Sequence, residues 1–229
     1  MRNTSRWDGC IPSARVPASR AHARLVRRAW RSGPATACGA QIIKAKIGRQ
    51  AEVLDETDGR ASRLRQLIRQ VTPGDPANVE ATAAQIYWPD LFGPDFRRRS
   101  DTPRTQALDY GYAVLRGIVC RSLVASGLHP GLGLHHSVSG NPFALADDVI
   151  EPFRPIVDRI VLRLGEPMPS LPELKAAMAA VGEAACIVGG KTLRCRAAVQ
   201  AAVASLVRVV DDGSGRLDLP EGLAESPDA

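Results

Sequence analysis

Acids and histidines cluster in one short part of the chain, at spacings that could support metal-dependent chemistry. The segment 127–155 contains three of the four histidines and three acids. Glu151 lies three residues after Asp148 and four after Asp147, so a helix places it on one face with at least one other acid. Neighbouring carboxylates repel, and both stay ionised only beside a cation such as Mg²⁺ or Mn²⁺. The spacing therefore indicates an oxygen-ligand cation site.

A further acid, Glu80, occupies an unusual position in a predicted helix over 76–88. Asp75 is the predicted N-cap of this helix, and the residues sharing a face with Glu80, as far as Tyr87, are otherwise small and apolar. Burying an unpaired carboxylate costs roughly several kcal/mol, so Glu80 needs a cation, a hydrogen-bond network or a metal. An ordinary surface ion pair with an arginine is the alternative.

The histidines precede the acidic helix in a glycine-rich loop. His135 or His136 could complete a mixed nitrogen and oxygen metal site, act as a base, or cap a turn. A zinc site formed with His129 is disfavoured, because adjacent side chains of an extended loop point to opposite sides. Ser137 is a weak nucleophile candidate, since no third group is available to orient a neighbouring histidine.

Helical periodicity dominates the chain from residue 41 onward and predicts an all-α domain over 41–229. Ile43, Ile47 and Leu54 belong to the apolar stripe of its first helix. Asn141 and Pro142 are the predicted start of a helix that carries the acids, and Pro152 should kink it just after Glu151. The tail after about residue 211 is expected to be weakly structured and flexible.

Charge separates the first part of the chain from the rest. Residues 1–50 carry eleven Arg and Lys against the single acid Asp8, whereas the other 179 residues carry 19 basic and 23 acidic side chains. Residues 1–40 mix Pro, Ser and Arg without periodicity, and we expect a basic segment of low order there. The sequence contains no apolar run of about 20 residues that could cross a membrane, so a cytoplasmic location is expected.

Three ordered stretches carry a resemblance to a known family. The chain resembles the CRISPR-associated integrase of spacer acquisition, the first-numbered Cas family, in its type II form, from about Gln41 to the C-terminal LPEGL. The stretches are GDPANVEATAAQIYWPDLFGPDFRRR, ALDYGYAVLRGIVCRSLVASGLHPGLGLHH and NPFALADDVIEPFRPIVD. In that family a Glu, a His and a later acid hold a divalent metal. Matched by motif, the resemblance implies that these residues are Glu80, His136 and Glu151.

The resemblance also implies an activity and a set of partners. The expected reaction is Mg²⁺- or Mn²⁺-dependent cleavage of DNA, or insertion of spacer DNA into the repeat array by attack of a 3′ hydroxyl on a phosphodiester. Expected partners are prespacer and repeat DNA, a second copy of the chain, and the small second-numbered Cas protein. Arg97, Arg98 and Arg99 form a compact basic group that could contact phosphates, although a solvated turn explains them equally well.

Some features depart from the family pattern. Members usually begin with a β-rich domain, and residues 1–40 do not read as strands, so we expect that domain to be missing and the copy to be impaired. Arg104-Thr105 and Leu108-Asp109 stand where the family commonly has Ile-Asn and Leu-Asn. The alternative function is a non-catalytic α-helical DNA-binding or scaffold remnant. A nucleotide phosphohydrolase ranks last, because the chain lacks a glycine-rich phosphate loop of the GxxxxGK[ST] type.

Overall fold

The computed structural model describes residues 34–57, 59–134 and 141–225, and this part of the chain is mainly helical. The predicted all-α class is confirmed, with a small antiparallel sheet added near the C-terminus. The helices are α1 (Pro34–Leu54), α2 (Ala61–Ile68), α3 (Val79–Phe92), α4 (Pro103–Ala125), α5 (Ala144–Ile150), α6 (Arg154–Leu164), α7 (Leu171–Ala179) and α8 (Cys195–Asp212), with 3₁₀ turns at Glu151–Phe153 and Ala180–Glu183. The strands are β1 (Ala185–Val188), β2 (Lys191–Arg194) and β3 (Gly222–Leu223).

Helix α1 lies between two hydrophobic clusters because apolar residues occupy two of its faces. Cys38 and Ile42 belong to the larger cluster, which includes buried residues of α4, α6 and α8. Ile43 and Ile47 belong to the smaller cluster, formed with α2 and α3. Lys46, four residues after Ile42 and three after Ile43, therefore projects from the helix between the two clusters.

Helix α3 starts and ends later than the sequence predicts. It begins at Val79 rather than at residue 76, because the Asp75 carboxylate reaches across a turn and accepts the backbone N–H groups of Val79 and Glu80, each at 3.0 Å. Pro89 does not end the helix, which continues to Phe92. A proline removes only one amide donor, and the packing of the final turn outweighs that loss.

The helix that carries the acids is divided at the predicted kink. It begins at Ala144 rather than at Pro142, since Asn141 accepts the Phe143 N–H in a local turn instead of capping the helix. The 3₁₀ turn Glu151–Phe153 interrupts it, and α6 continues from Arg154. The α-helix is thus interrupted at Pro152, where the sequence predicts a kink, and the 3₁₀ turn begins at Glu151.

Helix α4 packs closely against α6 and α7 at Gly111. A β-carbon at this position would lie 2.7 Å from the Met178 sulfur and would also overlap Val157. Only glycine allows the helices to approach this far. This close contact fixes α6, and with it the orientation of the preceding 3₁₀ turn, against the long central helix.

Residues 213–225, which follow α8, pack against the domain and do not form the free tail that the sequence suggests for them. The sheet has the order β2-β1-β3, and both pairings are antiparallel. Arg49 of α1 donates to the Pro220 carbonyl at 2.5 Å, and Glu52 accepts the Leu223 N–H at 2.7 Å. Leu217 and Leu219 are buried. The segment therefore braces α1 through both backbone and side-chain contacts.

The other predicted domain boundary also differs from the structure. Residues 34–40, which the sequence assigns to a weakly ordered segment, are the first turns of α1. Alanine-rich packing explains the difference, because Ala35 and Ala40 are buried although neither adds a strong apolar signal to the sequence. Among the described helices, none combines the length and the apolar character needed to cross a bilayer.

Candidate metal centre

Two of the three predicted metal ligands, Glu80 and Glu151, meet at the side chain of Lys46. The Lys46 Nζ atom lies 2.6 Å from Glu80 Oε1 and 2.6 Å from Glu151 Oε2. The side chains are between 12% and 20% exposed, so the contact is largely shielded from water. Because both oxygens touch one nitrogen, they lie within about 5 Å of each other. A single cation can therefore contact both carboxylates.

The charges at this site stabilise one another. Burial alone would raise the pKa of Glu151, but the positive charges of Lys46 and Arg154 outweigh burial and hold that pKa below its usual value. Arg154 Nε donates to Glu151 Oε1 at 2.7 Å. Burial alone would lower the pKa of Lys46, and the charges of Glu151 and Glu80 raise it above its usual value instead. Glu151 and Lys46 are therefore both ionised at neutral pH.

One oxygen of the site has no hydrogen-bond donor. The Lys46 ammonium has hydrogen-bond geometry toward Glu80, but it approaches Glu151 Oε2 only as a charge, and this buried oxygen accepts no hydrogen bond in the described structure. A cavity of about 10 Å³ with apolar exposed walls is lined by Glu80, Asp148 and Glu151 together with Gly39, Ile42, Ile43 and Leu134. That volume is about the size of one water molecule. Carboxylate oxygens such as those of Glu80 and Glu151 are the hard ligands that Mg²⁺ and Mn²⁺ prefer.

The third predicted ligand, His136, lies outside the described residues. Its loop is flanked by Leu134, whose N–H donates to Asp148 Oδ2 at 2.5 Å, and by Asn141, whose amide donates to Asp147 at 2.9 Å. Across 34–57, 59–134 and 141–225, no group of three or more His, Cys, Asp or Glu side chains is arranged to hold a metal. The structure thus brings together two carboxylates and a lysine.

Sequence reasoning did not identify Lys46 as a site residue. A signal was available, because Lys46 lies on the buried side of α1 in QIIKAKI, among isoleucines that pack into the core. A cation in such a position requires an opposite charge from another element. The sequence does not specify which carboxylates supply it.

The three consecutive arginines differ in their surroundings. Arg97 and Arg99 are exposed, and Arg97 donates to the Pro94 carbonyl at 2.8 Å within its own turn. Arg98 is three-quarters buried and pairs with Asp109 at 2.6 Å. Only Arg98 extends into the interior of the neighbouring cleft, so the predicted basic group divides into one partly buried and two solvent-facing side chains.

An open, arginine-lined cleft of about 290 Å³ lies next to the carboxylates. Arg98 and Arg154 both stack on the Tyr112 ring, at 5.2 and 4.5 Å from its centroid. Arg116 lies farther along the same cleft, 3.5 Å from Asp147. Arg154 also contacts Glu151, so the cleft and the candidate metal centre share one side chain.

A second buried carboxylate, Asp158, lies beneath the cleft. Tyr87 Oη donates to Asp158 Oδ2 at 2.9 Å, and Tyr112 Oη donates to Oδ1. Burial raises the pKa of Asp158 to about 6, against the opposing effect of these hydroxyl groups and of the nearby guanidinium groups. In the structure Arg154 pairs with Glu151, and Arg159 donates to the Ala224 carbonyl at 2.6 Å.

Comparison with known proteins places this arrangement in a family context. The family model for CRISPR associated protein Cas1 matches residues 14–167. A CRISPR-associated endonuclease Cas1 from Neisseria meningitidis serogroup C is 49% identical over 127 residues, covering 55% of this chain and 42% of the relative. One from Hyperthermus butylicus is 33% identical over 159 residues, covering 57% and 47%. The matches thus span under half the length of these curated relatives.

Solved structures show the same fold. A casposase bound to integration product has a TM-score of 0.75 at 19% identity, covering 88% of this chain and 72% of that chain. A Cas1 protein from Thermotoga maritima has a TM-score of 0.69 at 14% identity, covering 85% and 74%. A Cas6-RT-Cas1–Cas2 complex has a TM-score of 0.67 at 19% identity, covering 83% and 26%. With two thirds of its residues matched by the family model, this chain belongs to the Cas1 family.

Proposed function

We propose that this chain carries the catalytic domain of a divalent-metal-dependent DNA endonuclease and integrase acting in CRISPR adaptation. The main supporting observation is that Glu80 and Glu151, from distant parts of the sequence, meet at one partly buried cation beside an arginine-lined cleft. A site for phosphodiester chemistry needs both features, because it must hold a cation and receive a negatively charged backbone.

Glu80, Glu151 and His136 are the proposed ligands of Mg²⁺ or Mn²⁺. Such an ion, when bound, polarises a phosphodiester and stabilises the charge that develops during its displacement. Arg154 positions Glu151 by donating to Oε1, which leaves Oε2 as the oxygen that can bind the ion. His136 must be neutral to coordinate, so acidification that protonates it should reduce activity.

The cleft is the proposed path of the DNA backbone. Arg98, Arg116 and Arg154 line it and present guanidinium groups that suit phosphate oxygens. Asp109 and Asp147 line the same cleft and would be the ion-pair partners that phosphates replace. Attack by a 3′ hydroxyl on a phosphodiester joins two strands and releases a new 3′ end. Attack by water on the same phosphorus cleaves the strand, so one site supports both reactions.

The proposed partners are prespacer and repeat DNA, a second copy of the chain, and the small Cas2 protein. Support comes from the structural neighbours, which include a casposase bound to integration product and Cas6-RT-Cas1–Cas2 complexes. The curated relatives are named endonucleases. The residues matched by the family model, 14–167, include both Glu80 and Glu151.

The deciding experiment measures integration of a short prespacer into a repeat-bearing plasmid, with and without Cas2, across a Mn²⁺ titration. Strand transfer should require the metal and should disappear in Glu80→Ala, whereas Glu183→Ala is the matched control because Glu183 pairs with Arg194 and Arg196 at the surface. Undiminished reaction in EDTA would refute the proposal. Equal activity of Glu80→Ala and the control would refute the assigned site.

The second candidate is a non-catalytic helical scaffold in which these acids are only an ion-pair network. The Lys46 bridge favours it, because that bridge compensates the two carboxylates without any metal. A scaffold should show no increase in melting temperature with Mn²⁺, whereas a metal site that binds only the folded state raises stability by mass action. A thermal melt with and without Mn²⁺ separates the two functions.

A further inference from the structure

We propose that Lys46 is a resident counter-cation that holds the two metal-binding carboxylates together in the metal-free protein and must leave them when a divalent ion binds. The inference rests on the proposed function, since it concerns ligands of the same site. It assigns to α1 a role in metal occupancy that neither the sequence motifs nor the family comparison specifies.

The contact atoms carry the argument. Lys46 Nζ touches Glu80 Oε1 and Glu151 Oε2, each at 2.6 Å. Arg154 already occupies the other oxygen of Glu151, at 2.7 Å. An ion shared by the two glutamates therefore has to use the Glu151 oxygen that Lys46 approaches. At that distance an ammonium group and a divalent ion would repel each other strongly, so they exclude one another.

Charge balance explains why a cation is needed before the metal arrives. Two carboxylates within about 5 Å of each other in a poorly hydrated site repel, and the fold would then favour protonating one of them or exposing it to water. Arg154 contacts only Glu151 at this site. Among the described residues, Lys46 is thus the cation that contacts both carboxylates, and it keeps these two ligands close together and ionised.

The chemistry of lysine suits a removable cation. Its ammonium is a compact charge on a flexible four-carbon stem, and it forms no rigid two-point clamp of the kind that arginine makes. Among the described residues, the Lys46 ammonium pairs with Glu80 and Glu151. Withdrawal of the side chain toward solvent therefore breaks two contacts, and the ion replaces both.

The first test measures Mn²⁺ affinity of the full chain by calorimetry after removal of metal with EDTA. Lys46→Met should bind Mn²⁺ roughly tenfold or more tightly than wild type, because the ion no longer displaces a cation; a tenfold change corresponds to about 1.4 kcal/mol. Its melting temperature without metal should be lower. Lys44→Met, an exposed position on the same helix, is the control and should match wild type. Equal or weaker binding by Lys46→Met would overturn the inference.

A second test needs no variant and so remains decisive if Lys46→Met fails to fold. The chain contains four lysines, which allows their reaction with an amine-acylating reagent to be followed one by one by mass spectrometry. Adding Mn²⁺ to the wild-type protein should increase labelling of Lys46 several-fold and leave Lys44 unchanged. Unchanged labelling of Lys46 at Mn²⁺ concentrations that stabilise the protein would contradict displacement.

The results separate failure of this inference from failure of the proposed function. If the protein binds Mn²⁺ and releases Lys46 but performs no strand transfer, the inference about Lys46 stands and the proposed function is refuted. If strand transfer occurs but wild type and Lys46→Met bind Mn²⁺ with equal affinity, the proposed function stands and the inference about Lys46 is refuted. No Mn²⁺ binding by either protein overturns both.

Discussion

Glu151 and Asp158 are buried carboxylates on the same bent helical segment, seven residues apart, and their surroundings differ in kind. Glu151 contacts two cations, Lys46 and Arg154. Asp158 accepts hydrogen bonds from two neutral hydroxyl groups, those of Tyr87 and Tyr112. The pKa of Glu151 is lowered, whereas that of Asp158 is raised to about 6.

The difference suits Glu151 to exchange one cation for another and suits Asp158 to a fixed place in the core. A carboxylate compensated by a mobile cation can accept another cation in its place. One compensated by fixed hydroxyl groups is built into the core and leaves no space for an ion. Arg154 connects two carboxylate centres, the candidate metal centre at Glu151 and the cluster of Asp158 with its two tyrosines, since it contacts Glu151 and stacks on the ring of Tyr112. Its position is therefore held partly by the Asp158 network.

The largest expected contrast concerns stability. Asp158→Ala leaves two buried tyrosine hydroxyls without acceptors, and we expect the free energy of unfolding at pH 5 to fall by about 2–5 kcal/mol. Glu80→Ala should cost less than about 1.5 kcal/mol, because Lys46 remains paired with Glu151. Urea unfolding of both variants measures the difference. Equal losses would show that the two centres are not distinct in energetic terms.

The second contrast is in pH dependence. Because burial raises the pKa of Asp158 to about 6, the folded state disfavours its ionised form. The unfolding free energy of wild type relative to Asp158→Asn should decrease by about 2–3 kcal/mol as pH rises from about 4 to 7. The lowered pKa of Glu151 acts in the opposite sense, since its stabilising contribution is lost as pH falls through that lowered value.

Comparing wild type with Asp158→Asn separates the titration of Asp158 from that of all other groups. Asp158→Asn retains one side-chain oxygen as an acceptor and cannot ionise, so the difference between the two unfolding curves at each pH reports this carboxyl. Urea titrations at intervals of about half a pH unit are sufficient to define the slope. A difference that stays constant from pH 4 to 7 would mean that Asp158 has the same pKa in both states.

The sequence predicted the functional elements better than it predicted their surroundings. Helical periodicity located the helical segments carrying Glu80 and Glu151, and Pro152 located the interruption of the second one, because these features depend on local spacing. The starts of α3 and α5 were shifted by turns at Asp75 and Asn141: Asp75 bonds amides beyond the expected N2 and N3 positions, and Asn141 bonds the expected amide of Phe143 although the helix starts only at Ala144. Local patterns do not distinguish such turns from simple caps.

Pairing across the fold could not be predicted in the same way. The sequence shows that Lys46 and the two glutamates need partners, but their convergence depends on how α1, α3 and the 3₁₀ turn pack together. The tail after residue 211 was misjudged for a similar reason, since Leu217 and Leu219 are buried by contacts with distant residues. His136 remains a prediction from resemblance alone.

A smaller effect is expected when single tyrosine hydroxyls are removed. Tyr87→Phe and Tyr112→Phe should each lower the free energy of unfolding by about 1 kcal/mol, the usual contribution of one hydrogen bond. Each change should also raise the pKa of Asp158 further, because the lost bond favours its ionised form. Mn²⁺ affinity should be unaffected by Tyr87→Phe. A loss of Mn²⁺ binding in this variant would break the separation between the two centres.

The smallest effect is expected for a change at Arg154, the residue that connects the two carboxylate centres. Arg154→Lys keeps a positive charge near Glu151 but loses the planar stacking on Tyr112, so we expect a cost of about 0.5–1 kcal/mol in unfolding free energy. Combining it with Tyr112→Phe in a double-mutant cycle measures the coupling, which should be below about 0.5 kcal/mol because the ring itself remains. A coupling several times larger would show that the hydroxyl bond to Asp158 controls where Arg154 holds Glu151, and the two carboxylate centres would then act as one unit.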